Sequence, residues 1–335
     1  MMADMTTPMS VAVLTFLLSL LLVVCWALSR AQRPLQISKV NHALVTGGSQ
    51  GIGACVASLL AARGVSHLTI LSRDISKLNA IKKEISSAHP SCSVAVTSVD
   101  VTSASATERA INQAVEANGP PEVVICAAGG AMPKRFEDAP IEDFERAIKL
   151  NYLGVVYVAK AVMPHLKTHK RSHIVFVSSM AGQVGIYGYT SYSPSKFALR
   201  GFAEALSMEV RHFGVHVTVA YPPDTDTPGL KNERTTAPEE TVALSEGSGM
   251  WSPQVVAKKL VDSMARGHTA VNYGIDGLML GTLTVGMGRA STVLDAIKEV
   301  ALMGLLRAVA LGYVTSFYAT VASMARKRAK RTTET

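Results

Sequence analysis

The chain has 335 residues, 48% of them hydrophobic, with 33 Lys and Arg against 25 Asp and Glu and a net charge of +8. Its four cysteines (Cys25, Cys55, Cys92 and Cys126) are scattered without C-x-x-C spacing, which argues against a disulfide framework or a zinc site and fits a reducing compartment; no metal site is expected. Much of the positive excess sits in Arg326-Lys-Arg-Ala-Lys-Arg331, which reads as a solvated tail beside a membrane and not as a nucleic-acid interface.

Residues Met9 to Leu28 form an uncharged run rich in Leu and Val, long enough to cross a bilayer core. A cleavable leader carries Lys or Arg before its apolar run, and the one charged side chain in Met1 to Pro8 is Asp4. Arg30, Arg33 and Lys39 follow the run, so the charge rule for membrane flanks places what comes after on the cytosolic side. The expectation is a retained transmembrane anchor over residues 9–28.

From residue 40 onward, strand-like runs alternate with helical patterns. The runs are Ala43 to Thr46, Leu68 to Ser72, Val94 to Asp100, Val123 to Ala127, Ile174 to Ser178 and Val215 to Tyr221. Such alternation predicts an α/β fold: a Rossmann-type doubly wound parallel sheet with helices on both faces, its ligands bound at the carboxyl edge. About 230 residues suffice for it as one domain. The first run feeds Thr46-Gly-Gly-Ser-Gln-Gly-Ile-Gly53 and then the helix-like stretch Ala54 to Arg63. A strand, a glycine-rich turn and a helix N-terminus make a dinucleotide phosphate site, here as the variant TGxxxGxG. Gly47 and Gly51 allow the tight turn and close backbone approach, and Gly53 lets helix sit against strand.

Cofactor choice depends on the end of the second strand. An acid there bonds the ribose 2′-hydroxyl of NAD, and a basic residue accommodates the 2′-phosphate of NADP. The chain has Ser72-Arg73 with Lys77 one helical turn on, which favours NADPH; Asp74 comes two positions late for the NAD-type acid. Asp100 follows the third strand, where it could cap a helix before Thr102.

Further on stands Tyr192-Ser-Pro-Ser-Lys196, a phenol and an ammonium on one helix face. The cation is expected to lower the tyrosine pKa and make the phenol a proton donor and acceptor near neutral pH. The polar stretch Lys231 to Gly249 reads as a mobile loop, either a substrate lid or an ordinary surface loop. Ala301 to Met324 is uncharged apart from Arg307, and Gly277 to Met287 is a shorter apolar stretch. A single crossing would carry the basic tail to the lumen, so a re-entrant or two-pass hairpin or an interfacial helix is expected, against plain amphipathic packing on the domain.

The glycine turn and the Tyr/Lys pair, with Ser179 thirteen residues before Tyr192, resemble the short-chain dehydrogenase/reductase family over about residues 40 to 230. Asn151-Tyr-Leu-Gly154 matches that family's asparagine segment, Cys126-Ala-Ala-Gly129 stands where it usually has Asn-Asn-Ala-Gly, and Tyr221-Pro-Pro-Asp-Thr-Asp-Thr-Pro-Gly229 stands at its Pro-Gly segment. Together with Phe136-Glu-Asp138, Ile174-Val-Phe-Val-Ser-Ser179, Ala181-Gly-Gln183 and Lys196-Phe-Ala198, these segments are similar to the family's membrane-bound reductases of a long-chain sphingoid ketone. The resemblance implies Ser179, Tyr192, Lys196 and Asn151 as catalytic residues. Ser179 would hold the carbonyl oxygen, Tyr192 would donate the proton, Lys196 would also bind the nicotinamide ribose, and Asn151 would position a relay water. It implies NADPH contacts from Gly47, Ser49, Gln50, Gly51, Ile52 and Gly53, and from Ser72, Arg73, Lys77, Asp100 and Val101. Ala128, Gly129, Pro222, Thr225 and Thr227 complete that cofactor set, with Thr227 at the nicotinamide amide. It further implies the lipid bilayer as a partner, the endoplasmic reticulum membrane with the catalytic domain facing the cytosol as location, and leaves a homo-oligomer open.

Expected boundaries are an anchor at 9–28, a catalytic domain at 40–270, a hydrophobic membrane-associated region at 271–325 and a basic tail at 326–335. Three other readings stay in play. A membrane-bound hydroxysteroid dehydrogenase would use the same four residues, and a non-catalytic scaffold would need none of them. Gly47-Gly-Ser-Gln-Gly51 also fits the Gly-x-Ser-x-Gly elbow of serine hydrolases, with Ser49 as nucleophile and a downstream acid and histidine. That last reading leaves Tyr192, Lys196 and Arg73 without a role.

Overall fold

The computed structural model describes residues 10–19, 34–246 and 249–334. Seven strands, β1 (His42–Thr46), β2 (His67–Ser72), β3 (Ser93–Ser98), β4 (Val123–Cys126), β5 (Ser172–Val177), β6 (Val215–Ala220) and β7 (Ala270–Val271), form one parallel sheet in the order β3-β2-β1-β4-β5-β6-β7. The six strand-like runs of the sequence fall on β1 to β6 within two residues at either end. The two-residue β7 is too short to show any alternation, which is why the sequence does not announce it.

Helices α1 (Gly51–Ala62), α2 (Ile75–Ala88), α3 (Ala104–Asn118), α4 (Ile141–Ile148), α5 (Gly154–Leu166), α6 (Tyr192–Val210) and α9 (Pro253–Ala265) connect the strands. Side chains alternate across a strand, so β1 feeds two cores. Ala43 and Val45 pack with Val56, Leu60, Ile70, Leu78 and Leu260 on one face of the sheet. Leu44 packs with Ile111, Val158, Phe176 and Leu199 on the other. Both faces are covered by helices, which lets all five residues of β1 be buried. Local caps start the helices: Asp74 accepts from Lys77 N at 3.1 Å, and Ser103 accepts from Ala106 N at 3.4 Å.

The loop expectation fails here, and so does the hairpin alternative for the C-terminal stretch, which leaves the interfacial helix. Lys231 to Gly249 is not a loop throughout, because α7 (Pro228–Arg234) and α8 (Glu239–Glu246) occupy most of it. Thr227 caps α7 by accepting from Leu230 N at 3.2 Å, Pro228 opens it, and Glu239 and Glu240 supply acid to the first turn of α8. Likewise the apolar C-terminal stretch forms no hairpin. After α10 (Gly274–Leu283), α11 runs unbroken from Val293 to Glu334, through the boundary expected at 325. No proline or glycine pair interrupts it, and Arg307 is accommodated at the protein surface.

Residues Val293–Lys330 form one helix long and apolar enough to cross a membrane, with only 6% of its most apolar window buried. Of the expected anchor, Ser10–Ser19 is an exposed apolar helix. The rest of residues 9–28, with Arg30 and Arg33, lies outside the described residues.

Candidate active site

The strand order reverses between β1 and β4, where β1 pairs with β2 on one side and β4 on the other. Crossovers from β1 and β4 leave in opposite directions, so a crevice opens at their carboxyl ends. A cavity of about 570 Å³ occupies it. Its wall carries nearly every residue singled out above as a cofactor contact: Gly47, Ser49, Gln50, Gly51, Ile52 and Gly53 of the first turn, Ser72 and Arg73 after β2, Asp100 and Val101 after β3. Ala128, Gly129, Pro222, Thr225 and Thr227 line it from the other side.

The glycine turn is built for close approach. Gly47 has φ +69°, and a Cβ there would sit 2.6 Å from Ala128 N. A Cβ on Gly53 would collide with the Gly47 carbonyl oxygen, so α1 can start directly against the turn only with glycine at this position. The resulting bare backbone at a helix N-terminus fits a pyrophosphate. Arg73 is exposed at the rim and, among the described residues, forms no ion pair. Lys77 stands just outside the wall, where its Nζ donates to Gln50 Oε1 at 3.3 Å. Asp74 is occupied as the cap of α2, and Asp100 accepts from Thr102 N at 2.9 Å while facing the cavity. Cys126 is fully buried behind the sheet edge, where desolvation raises its thiol pKa.

At the other end of the cavity, Ser179 follows β5 and Tyr192 and Lys196 come from the first turns of α6. Ser179 Oγ accepts from Ala181 N at 3.1 Å and is hydrogen-bonded to the Tyr192 side chain. Ser178 instead points inward and donates to the Lys196 carbonyl at 3.0 Å. Lys196 Nζ lies 5.7 Å from the centre of the Tyr192 ring and donates to Val177 O at 2.9 Å. Asn151 is wholly buried in a π-helical turn, Lys149–Leu153, between α4 and α5. Its amide clamps Gly130 in both directions, at 3.0 Å each, and donates to Ser195 Oγ at 3.0 Å. This holds the Gly129–Gly130 backbone beside Lys196 and ties it to α6. Tyr189 also lines the cavity, 5.2 Å from the Tyr192 ring, centre to centre.

The electrostatics correct one expectation. Tyr192 does not carry a lowered pKa: burial pushes it well above the usual phenol range, the charges of Glu233 and Asp224 and the Tyr189 phenol add to that, and the Ser179 hydrogen bond opposes them. Lys196 is buried beside it, and burial lowers its own amine to about 8. A phenol that keeps its proton suits a general acid.

Two acids missed in the sequence face the same space. Glu233 on α7 is pushed up to about 7 by burial, and Asp224, 24% exposed, is also raised by burial. Both sit in segments singled out for other reasons, Asp224 in the Pro-Pro stretch and Glu233 in the expected loop. The wall further includes Arg307, Ala310, Val314 and Phe317, spaced three or four apart on one face of α11. No histidine is among the lining residues described, and Ser49 shares a hydrogen bond with Ser72 at 2.8 Å, so the hydrolase reading finds no base.

Comparison with known proteins identifies the family. The profile of the short chain dehydrogenase family matches residues 41–238. A 3-ketodihydrosphingosine reductase of Bos taurus is 44% identical over 292 residues, covering 86% of this chain and 88% of that protein. A 3-dehydrosphinganine reductase of Arabidopsis thaliana is 36% identical over 305 residues, 89% of this chain and 91% of its own. Among solved structures, an alcohol dehydrogenase of Thermococcus sibiricus complexed with 5-hydroxy-NADP superposes with a TM-score of 0.58 and 26% identity, over 66% of this chain and 88% of that one. A dehydrogenase/reductase of Sinorhizobium meliloti 1021 gives 0.61 and 25%, over 68% and 90%. The parallel sheet, the glycine turn that receives a nicotinamide nucleotide and the match across the whole catalytic region lead to one conclusion: the chain belongs to the short chain dehydrogenase family.

Proposed function

We propose that the protein reduces the ketone of 3-ketodihydrosphingosine to the alcohol, dihydrosphingosine, with NADPH, a step of sphingolipid synthesis. The observation that carries this reading is the single cavity that joins a nucleotide cradle, a Ser179–Tyr192–Lys196 cluster and an apolar wall from α11. Relatives of that named activity, 43–44% identical over most of their length, support the substrate. Arg73, exposed and unpaired among the described residues, is suited to the 2′-phosphate that separates NADPH from NADH.

When bound, the nicotinamide supplies a hydride. Tyr192 gives its proton to the ketone oxygen as the carbon is reduced, and Ser179 hydrogen-bonds that oxygen and keeps it against the phenol. Lys196, neutral in part near pH 8, passes a proton back to the phenol. Asn151 fixes the backbone beside Lys196. The roles of Ser179 and Tyr192 are the ones the family resemblance implies; for Asn151 the resemblance implies a relay water, and its amide here is taken up by Gly130 and Ser195.

The chain works at a membrane, its catalytic domain at residues 40–270 facing the cytosol at the endoplasmic reticulum. One face of α11 walls the cavity at Arg307 to Phe317 while Leu305, Leu311 and Tyr318 on other faces stand more than half or about half exposed, at 65%, 51% and 74%. With one face on the cavity and exposed apolar side chains on the others, this helix suits the membrane interface. Lying in the interface, it sinks its outer face among the lipids and leaves its basic end in the cytosol. NADPH consumption by detergent-solubilised protein tests the reading, with 3-ketodihydrosphingosine and a panel of ketosteroids as substrates. Turnover of the sphingoid ketone is expected; turnover of steroids alone overturns the substrate.

A further inference from the structure

Glu233 stands out in the cavity because nothing in the reduction of a plain ketone needs it. It lies on α7, in the same wall as Ser179, Tyr192 and Lys196. Its Oε1 accepts from Ala131 N at 3.1 Å, which fixes the carboxylate in place. The neighbouring acid, Asp224, is drawn toward Arg234 at 3.6 Å. Among the described residues Glu233 forms no salt bridge of its own.

A carboxylate beside a proton donor, without a salt bridge among the described residues, works against ketone reduction. Its charge holds the proton more tightly on Tyr192. It also opposes the negative charge that develops on the carbonyl oxygen as hydride adds, in a setting where burial strengthens such effects. A neutral ketone meets both penalties. A substrate with a cation next to its carbonyl cancels them, and 3-ketodihydrosphingosine carries an ammonium on the carbon adjacent to the ketone.

We propose that Glu233 is the specificity residue for that amine: its carboxylate pairs with the substrate ammonium while Ser179 and Tyr192 hold the carbonyl oxygen. This rests on the sphingoid reading of the substrate given above. The pairing adds a second cation to the one Glu233 already feels from Lys196, and burial, which lifts its carboxyl toward neutrality, is offset once the ammonium sits beside it. The amine itself is unchanged in the reaction. The ketone carbon gains hydride, the oxygen gains the Tyr192 proton, and the nucleotide is oxidised.

The test compares kcat/KM for 3-ketodihydrosphingosine and for its des-amino counterpart, the 1-hydroxy-3-ketone of equal chain length. The wild-type protein is expected to prefer the amine by about 10- to 100-fold, the range for a hydrogen bond between charged groups. Glu233→Gln, which keeps the shape and the acceptor for Ala131, is expected to remove most of that preference. A parallel loss on both substrates overturns the proposal, because a structural role falls on both alike. Equal use of the two ketones by the wild-type protein overturns it without any variant and leaves the proposed function standing. Turnover of neither overturns the function and this inference together.

Discussion

Lys196 is 4% exposed, and its amine makes one hydrogen bond, to the Val177 carbonyl. Burial lowers it from 10.5 to about 8, equivalent to about 3 kcal/mol of destabilisation carried by the charged form. The sign follows from linkage. Below about pH 8 the amine is protonated in folded and unfolded chain alike, and the full cost is present. Between about 8 and 10.5 the folded state sheds its proton first, and above 10.5 the cost is gone. Lys196→Met fills similar volume without the charge. Losing the Val177 hydrogen bond returns about 1 kcal/mol. The variant is therefore expected to be more stable than the wild-type protein near neutral pH by about 2 kcal/mol, or about 4–8 °C in Tm, although turnover is lost. Thermal unfolding of both proteins in the same detergent, without added nucleotide, reads this directly. The gain should shrink as pH approaches about 10. A lowered Tm near neutrality, or a gain that does not diminish with pH, refutes the reasoning that this buried charge costs stability and is kept for chemistry.

Tyr192→Phe removes the proton donor and leaves the nucleotide cradle intact; a fall in kcat of about 10²- to 10⁴-fold with little change in NADPH affinity is expected, and retained turnover counts against the assignment. Arg73→Ala should raise KM for NADPH by about tenfold and leave that for NADH nearly unchanged, since the exposed guanidinium meets the 2′-phosphate in screened surroundings; equal effects on both cofactors count against it. Away from the site, His173 and His216 stack at 4.7 Å beside Arg171, and burial holds His173 well below 6.5 and His216 at about 4. Both favour the neutral ring, so stability present above 6.5 is lost as pH falls toward 4, by about 1–2 kcal/mol for His216 once solvent screening of its half-buried ring is allowed for. His216→Phe keeps the ring stack, and a pH dependence of Tm no shallower than in the wild-type protein would contradict this account.

How much was legible beforehand depended on the range of the interactions involved. The strands at Ala43, Leu68, Val123 and Ile174 announce themselves because a sheet covered on both faces needs unbroken apolar runs. The turn at Gly47 to Gly53 and the Tyr192–Lys196 pair are local patterns, complete within a few residues, and so the sheet, the nucleotide cradle and the proposed proton donor could all be read from the chain in order. What the chain could not reveal came from segments far apart. Glu233 reads as one more acid in a polar stretch until α7 folds it against Ala131, 102 residues away. Arg307 to Phe317 read as membrane sequence until α11 lies against the cavity. The pKa of Tyr192 runs opposite to the expectation from its lysine, because desolvation is a property of everything packed around a group and spacing along one helix does not contain it. Sequence by itself determined the fold family and the glycine turn and singled out the side chains proposed to react, all of which are encoded in local spacing. Only the tertiary structure decided which charges meet at the ketone and what walls the cavity, since burial and long-range contact set both.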